Sequence, residues 1–184
     1  YLIYKKTIED KTNLKKRELG TQSYISSQID KTIQILYENN YINIKNFNEN
    51  IPDAITLKGK VASEINECNQ IMLTELIFAD LLDNIDFRDL GALLSIFGDS
   101  TKNNNKNEIK DNSFPIRYKK YINLLNEVID YYVNYENSIE LYTNLKWNIN
   151  IDIIEATYRW LDGEMFEVLT NEYSIFEGNL IKDF

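Results

Sequence analysis

The sequence predicts an all-α fold, a multi-helix bundle interrupted by one long polar loop around residues 99–114. Apolar residues recur at steps of three and four along several stretches, which is helical spacing. Capping residues stand at the ends of those stretches. No stretch alternates apolar and polar residues convincingly enough to make a strand. The run from Leu57 to Phe97 organises the rest, with two strongly apolar helical patterns joined by a turn and introduced by a short basic segment.

Residues 1–20 read as a polar, Lys-rich helix or connector that Gly20 ends. Its basic run Lys15, Lys16 and Arg17 suits either a solvated face or a phosphate contact. A second helix is expected from Ser23 to Asn40, with Ile25, Ile29, Ile33 and Leu36 on one face and Asn39 and Asn40 closing it. Thr56 is placed to cap a short helix from Lys58 to Asn66. Leu73, Leu76, Ile77, Leu81 and Ile85 then form a stripe wide enough to face a core. Asp86 is the expected N-cap of the next helix, with Asp89 in the capping-box position. Phe87, Leu90, Leu93, Leu94 and Phe97 line one side of that helix. Gly91 costs about 1 kcal/mol against Ala inside a helix, so close helix–helix approach is the expected reason for it.

After Phe97 the chain is almost free of apolar residues until Phe114, too few to order it by burial. Pro115 suits the first turn of a new helix. Tyr121, Leu124, Leu125, Val128, Tyr132 and Tyr135 continue that helix to about Tyr142, and the tyrosines suit core packing or base stacking. Asn148 or Asn150 is expected to cap a helix lined by Ile151, Ile154, Tyr158 and Leu161, with Trp160 beside them and Gly163 at its end. A short helix around Met165 to Leu169 follows, and a last one begins near Phe176. The chain stops at Phe184 within that pattern, which reads as a piece of something longer.

The 184 residues carry a net charge of −9. Residues 1–20 hold six Lys/Arg and three Asp/Glu, a balance of +3, which leaves −12 for the remainder. An acidic body is a poor stand-alone nucleic-acid binder, because phosphate neutralisation supplies most of that affinity. Asn, Ile, Lys and Tyr make up 79 residues of 184, the mark of an AT-rich genome such as that of a large DNA virus or an AT-rich protist. No apolar run reaches membrane-spanning length. The single Cys68 allows no internal disulfide and fits a reducing, intracellular setting. There is no His, so the commonest general base and metal ligand is missing. Neither a GxxxxGK[ST] phosphate loop nor a DExH-like magnesium box is present. The segment therefore carries no catalytic motif and no expected metal or cofactor site of its own.

Five short stretches, in order, resemble one family. They are Leu57-Lys58-Gly59-Lys60-Val61-Ala62-Ser63-Glu64-Ile65; Leu73-Thr74-Glu75-Leu76-Ile77-Phe78; Ala92-Leu93-Leu94-Ser95-Ile96-Phe97; Tyr158-Arg159-Trp160 with Gly163 and Phe166; and Phe176-Glu177-Gly178-Asn179-Leu180-Ile181-Lys182. Together they resemble the DSHCT domain, the helical C-terminal bundle of DExH-box RNA helicases of the superkiller and exosome-associated type. The resemblance covers residues 57–184, with the bundle cut off within its last helix. Residues 1–56 would be a helical connector from the preceding winged-helix region.

The resemblance implies a role and not a reaction. ATP and Mg would bind in the RecA-like domains of the parent chain. The bundle would pack across those domains, close the RNA channel and touch the single strand that threads through it. Implied partners are the RecA-like core of the same chain, single-stranded RNA and RNA-decay machinery, with no membrane. The implied location is the nucleus or cytoplasm, or a virus factory or virion for a viral member. RNA-contact candidates are Lys182 on the last helix, Asp99 where the family carries an acid near the bases, and Lys58 and Lys60 around Gly59. Lys58 and Lys60 also suit a helix N-terminal turn that docks on a neighbouring domain. The competing class is a stand-alone α-helical protein-interaction module without an RNA role.

Overall fold

Helices follow wherever three-and-four spacing meets a cap, and their ends show the backbone chemistry that stops them. The structure, a computed structural model, describes residues 2–44, 54–98 and 116–173. In order these form α1 (Leu2–Glu38), α2 (Leu57–Glu64), α3 (Gln70–Phe78), α4 (Phe87–Leu94), α5 (Lys119–Ile139), α6 (Ile154–Leu161) and α7 (Phe166–Tyr173). Short 3-10 turns at Ser95–Phe97 and Ile116–Tyr118 follow α4 and precede α5. Among the described residues the only β pairing is one isolated antiparallel bridge, Ile42 to Ile55. The all-α expectation holds. The expected loop around 99–114, Pro115 and the helix near Phe176 lie outside the described residues.

The chain divides into two compact units, Tyr1–Lys60 with Asn134–Asn144, and Val61–Val133 with Leu145–Phe184.

In the first unit α1 runs straight through Gly20, contrary to the expected break. One exposed glycine costs only about 1 kcal/mol within a helix, and no proline stops the chain. The helix ends where asparagine was expected to end it. Asn40 takes φ 60°, its N–H reaches Tyr37 O (3.1 Å), and the Tyr41 N–H reaches Leu36 O (2.8 Å). That pair of bonds is a Schellman closure. Burial along the α1 stripe rises toward this end, from Ile25 at 50 % exposed to Ile33 at 6 %. The end of α5 closes the same way, with Glu140 at φ 53° and the Leu141 N–H on Glu136 O. Gln28 grips this turn from α1. Its Nε2 donates to Glu140 O (3.0 Å) and its Oε1 accepts from the Tyr142 N–H (2.9 Å).

The second unit holds the larger core. Met72 and Leu76 from α3, Ala92 and Leu93 from α4, Ile96, Tyr118, Tyr121 and Leu125 from α5 and its lead-in, and Ile154 from α6 form one buried cluster. Each large apolar side chain so buried contributes about 1.5–3 kcal/mol. Of the tyrosines at helical spacing on α5, Tyr121 belongs to this core. Tyr132 is also buried, stacks on Trp147 at 5.1 Å and donates to Glu75 Oε1 (3.0 Å).

Three boundaries differ from the sequence pattern. The helix expected to carry Leu81 and Ile85 stops at Phe78, with Asp80 at φ 54°; both residues still pack on the core from the turn that follows. Its N-cap is Asn69, whose Oδ1 accepts from the N–H groups of Ile71 and Met72. The helix expected to start after Asn148 or Asn150 starts after Ile153, because Asn150 spends its Oδ1 on the Asp152 N–H (3.2 Å) in a preceding turn. At the far end of α6, Gly163 at φ 98° completes a Schellman closure, as its position predicted. Gly91 on α4 has the expected cause: a β-carbon there would come within 2.5 Å of Leu161 Cδ1 on α6.

Candidate nucleic-acid interface

The basic turn at the start of α2 is built by Thr56. Its hydroxyl accepts from the Gly59 N–H (3.0 Å), the N-cap bond expected from sequence, and also lies 2.7 Å from Asn40 O. Lys58 then lies at the C-terminal end of α1, where free carbonyls carry partial negative charge. Its ammonium donates to Asn39 O at 3.3 Å and sits 4.6 Å over the Tyr41 ring. Lys58 therefore fastens α2 to the end of α1. Lys60 is exposed two residues further along the same helix. The other two sequence candidates, Asp99 and Lys182, lie outside the described residues.

The arginines of the second unit, which sequence reasoning did not single out as a set, are committed to carboxylates. Arg88 on α4 pairs with Asp162 beyond α6 at 2.7 Å. Arg117 Nε pairs with Asp89 at 3.0 Å, and its guanidinium lies 4.0 Å over the Tyr158 ring. Asp89 also accepts the buried Tyr118 hydroxyl at 2.6 Å, so the acid expected to close a capping box is turned to tertiary work instead. Arg159 on α6 forks onto Glu164 (2.6 Å from Nε, 2.5 Å from Nη2) and reaches Glu172 on α7 at 2.9 and 3.0 Å. Glu164 first, then Glu172 and the Tyr173 hydroxyl, hold Arg159 protonated, and Arg159 in turn lowers both glutamate pKa values. These cations set helix positions in the second unit.

Exposed cations outside these ion pairs stand on α1, at Lys15, Lys16 and Arg17, and in the second unit at the start of α5. Lys119 and Lys120 are both exposed, and Lys120 lies 4.6 Å over the Tyr121 ring. Cations in a first helical turn oppose the helix dipole. That placement was the signal available in the sequence, and it suits an anionic partner.

The rest of the chemistry is sparse. Cys68 is half-buried, and burial, then the charge of Glu67, pushes its thiol pKa up and away from thiolate reactivity. Among the described residues no group of three or more His, Cys, Asp or Glu could hold a metal ion. No described helix is long and apolar enough to cross a membrane.

The described residues thus form an all-helical domain whose arginine ion pairs fix its helices. Residues 52–184 match the DSHCT (NUC185) domain, and the chain belongs to that family. Over 134 residues it is 26 % identical to the ATP-dependent RNA helicase mtr4 of Schizosaccharomyces pombe, covering 72 % of this chain and 12 % of that protein. Against the DExH-box ATP-dependent RNA helicase DExH9 of Arabidopsis thaliana it is 28 % identical over 139 residues, covering 71 % of this chain and 13 % of the relative. The human exosome RNA helicase MTR4 is 24 % identical over 131 residues, with 71 % and 12 % covered. The chain thus spans about an eighth of the length of these relatives.

Proposed function

We propose that residues 57–184 are the accessory helical domain of an ATP-dependent RNA helicase, packed over the RecA-like core of the same chain. Residues 1–56 would lead in from a winged-helix region. The observation that carries the reading is the domain match over residues 52–184, joined to three relatives each named as an RNA helicase. In this reading ATP and Mg bind the RecA-like domains, since the chain has no phosphate loop, and the bundle closes the RNA channel. The single strand meets Lys182, with Asp99 and Lys60 as further contacts, and Lys119 and Lys120 add phosphate-seeking charge. Lys58 supports Lys60 through its hold on α1. An acidic body is compatible with this arrangement because the core would supply most phosphate contacts. The name of the human relative supports RNA-decay machinery as a partner, and hence work in the nucleus or cytoplasm.

The test is Lys182→Glu in the full-length helicase, with strand displacement and ATPase measured side by side. Loss of a charge-assisted contact, typically about 1.5–3 kcal/mol, is expected to slow unwinding several-fold and leave basal ATPase unchanged. Unchanged unwinding would remove Lys182 from the RNA path. Joint loss of both activities and of thermal stability would make it a structural residue.

A further inference from the structure

An open groove of about 310 Å³ lies in the second unit between the middle of α5 and the segment that leads into α6. Ile122 and Asn126 line it from α5; Asn148, Ile149, Ile151 and Asp152 line it from the segment. That volume is at the small end of ligand pockets. The segment itself is not helical. From residue 145 to 149 it alternates half-buried and exposed positions, as a strand does. Trp147 stacks on Tyr132, and Ile149 and Ile151 rest on the core. Asn69 Nδ2 holds Lys146 O (3.0 Å), and the Asn150 N–H donates to Ile96 O (2.8 Å). The extended chain is therefore tied down at both ends.

Between those two ties, polar groups stand open. The main-chain N–H and C=O groups of Asn148 and Ile149 have no hydrogen-bond partner among the described residues. The side-chain amides of Asn126 and Asn148 have none either. A tethered, extended stretch with unpaired donors and acceptors is what strand addition requires, and two flanking amides offer the same donor–acceptor pair that a peptide main chain does. The charge around the groove selects against a phosphodiester. Asp152 lines it, Glu127 and Asp130 are exposed on α5 next to and one turn beyond Asn126, and no Lys or Arg is among the described lining residues.

We propose that this groove binds an extended peptide segment of a partner protein. The peptide main chain pairs with the Asn148–Ile149 edge and is clasped by the Asn126 and Asn148 amides. One aliphatic side chain seats against Ile122, Ile149 and Ile151, and a neighbouring Lys or Arg faces Asp130. The site stands on its own geometry and does not depend on the helicase reading.

The experiment is selection of a phage-displayed random decapeptide library on the whole chain, followed by fluorescence anisotropy with the enriched peptides. Enriched peptides are expected to share one aliphatic position beside a basic one and to bind with micromolar Kd. Asn126→Arg, which fills the groove from an exposed helix position, and Asn148→Pro, which removes a free N–H, are each expected to weaken binding by roughly tenfold or more. N-methylation of the peptide main chain at the aliphatic position should abolish binding, and that arm needs no substitution in the protein. The proposal fails if no peptide enriches, if enriched peptides bind Asn126→Arg as well as wild type, or if N-methylation is harmless. It also fails if a fluorescein-labelled oligoadenylate, rather than a peptide, is the probe that Asn126→Arg displaces.

Discussion

Gly59 passes so close beneath the main chain of Tyr41 that a β-carbon at residue 59 would fall onto the Tyr41 carbonyl oxygen and within 2.8 Å of Ile55 Cγ2. Backbone cannot swing aside, so Gly59→Ala is expected to cost about 1–3 kcal/mol as an overpacking change. Gly91 faces only the tip of Leu161, which can turn, with its other carbons 3.8 and 3.9 Å away. There the helix-propensity gain of about 1 kcal/mol offsets the repacking, and Gly91→Ala is expected to be nearly neutral. Urea midpoints at constant slope separate the two; equal midpoints would contradict the docking of α2 on the end of α1.

Tyr118 donates to Asp89 from a fully buried position. Burial, and then the hydrogen bond to the Asp89 carboxylate, push its hydroxyl pKa up from the ordinary value of 10. The neutral phenol is thus favoured by folding. Its contribution is fully present below pH ~10 and is lost as pH rises from there through the folded pKa. Tyr118→Phe should cost about 1.5–3 kcal/mol at neutral pH, the usual value for a hydrogen bond to a charged group. It should also flatten the fall in stability above pH ~10. Parallel alkaline profiles for the two proteins would mean that Tyr118 does not donate to Asp89.

Thr74 and Thr157 are fully buried, and their hydroxyls find no hydrogen-bond partner among the described residues. An unpaired buried hydroxyl carries its full desolvation cost, about 1–3 kcal/mol. Valine has the same shape without that cost. Thr157→Val is therefore expected to raise the urea midpoint, as is Thr74→Val. A lower midpoint in both variants would reveal a partner for the hydroxyl.

Arg159 lowers the pKa of Glu164 and of Glu172 below the ordinary 4.5. A depressed carboxylate contributes stability above its unfolded pKa and loses that contribution as pH falls through the folded value. Wild type should lose stability on acidification below pH ~4.5. Arg159→Ala should start lower at neutral pH and change less over that acid range. Melting temperatures by circular dichroism between neutral and strongly acidic pH test this; an identical acid profile in the variant would dissociate the two glutamates from Arg159.

Local chemistry was legible in the sequence where one residue settles the matter. Asn40 and Gly163 tolerate the left-handed backbone, Thr56 caps α2, and Leu76 on α3, Leu93 on α4 and Tyr121 and Leu125 on α5 reach the core, while Ile77, Phe87 and Leu94 from the same stripes stay exposed. Gly20 misled because its cost is small beside that of a proline. Leu81 and Ile85 misled because periodicity reports burial, and a turn can bury them as well as a helix can. The extended chain from 145 to 149 escaped notice because so short an alternation is hard to tell from chance. Of the RNA-contact candidates, Lys58 and Lys60 are placed by the structure. The pairing of Asp89 with Arg117 and of Arg159 with Glu172 could not be read, since only the folded chain brings those charges together.

The fork of Arg159 also sets an order of events. Of the residues on α7, only Leu169 is fully buried, while α4 and α6 share the apolar core. The hold of α6 on α7 therefore rests heavily on charges that lie partly in water, and added salt weakens such pairs while leaving apolar burial intact. As ionic strength rises, α7 should be the first described element of the second unit to lose amide-exchange protection, ahead of the helices that carry Met72, Leu93 and Ile154. Salt concentration would then peel this unit from its edge inward, where heat takes the whole of it at once.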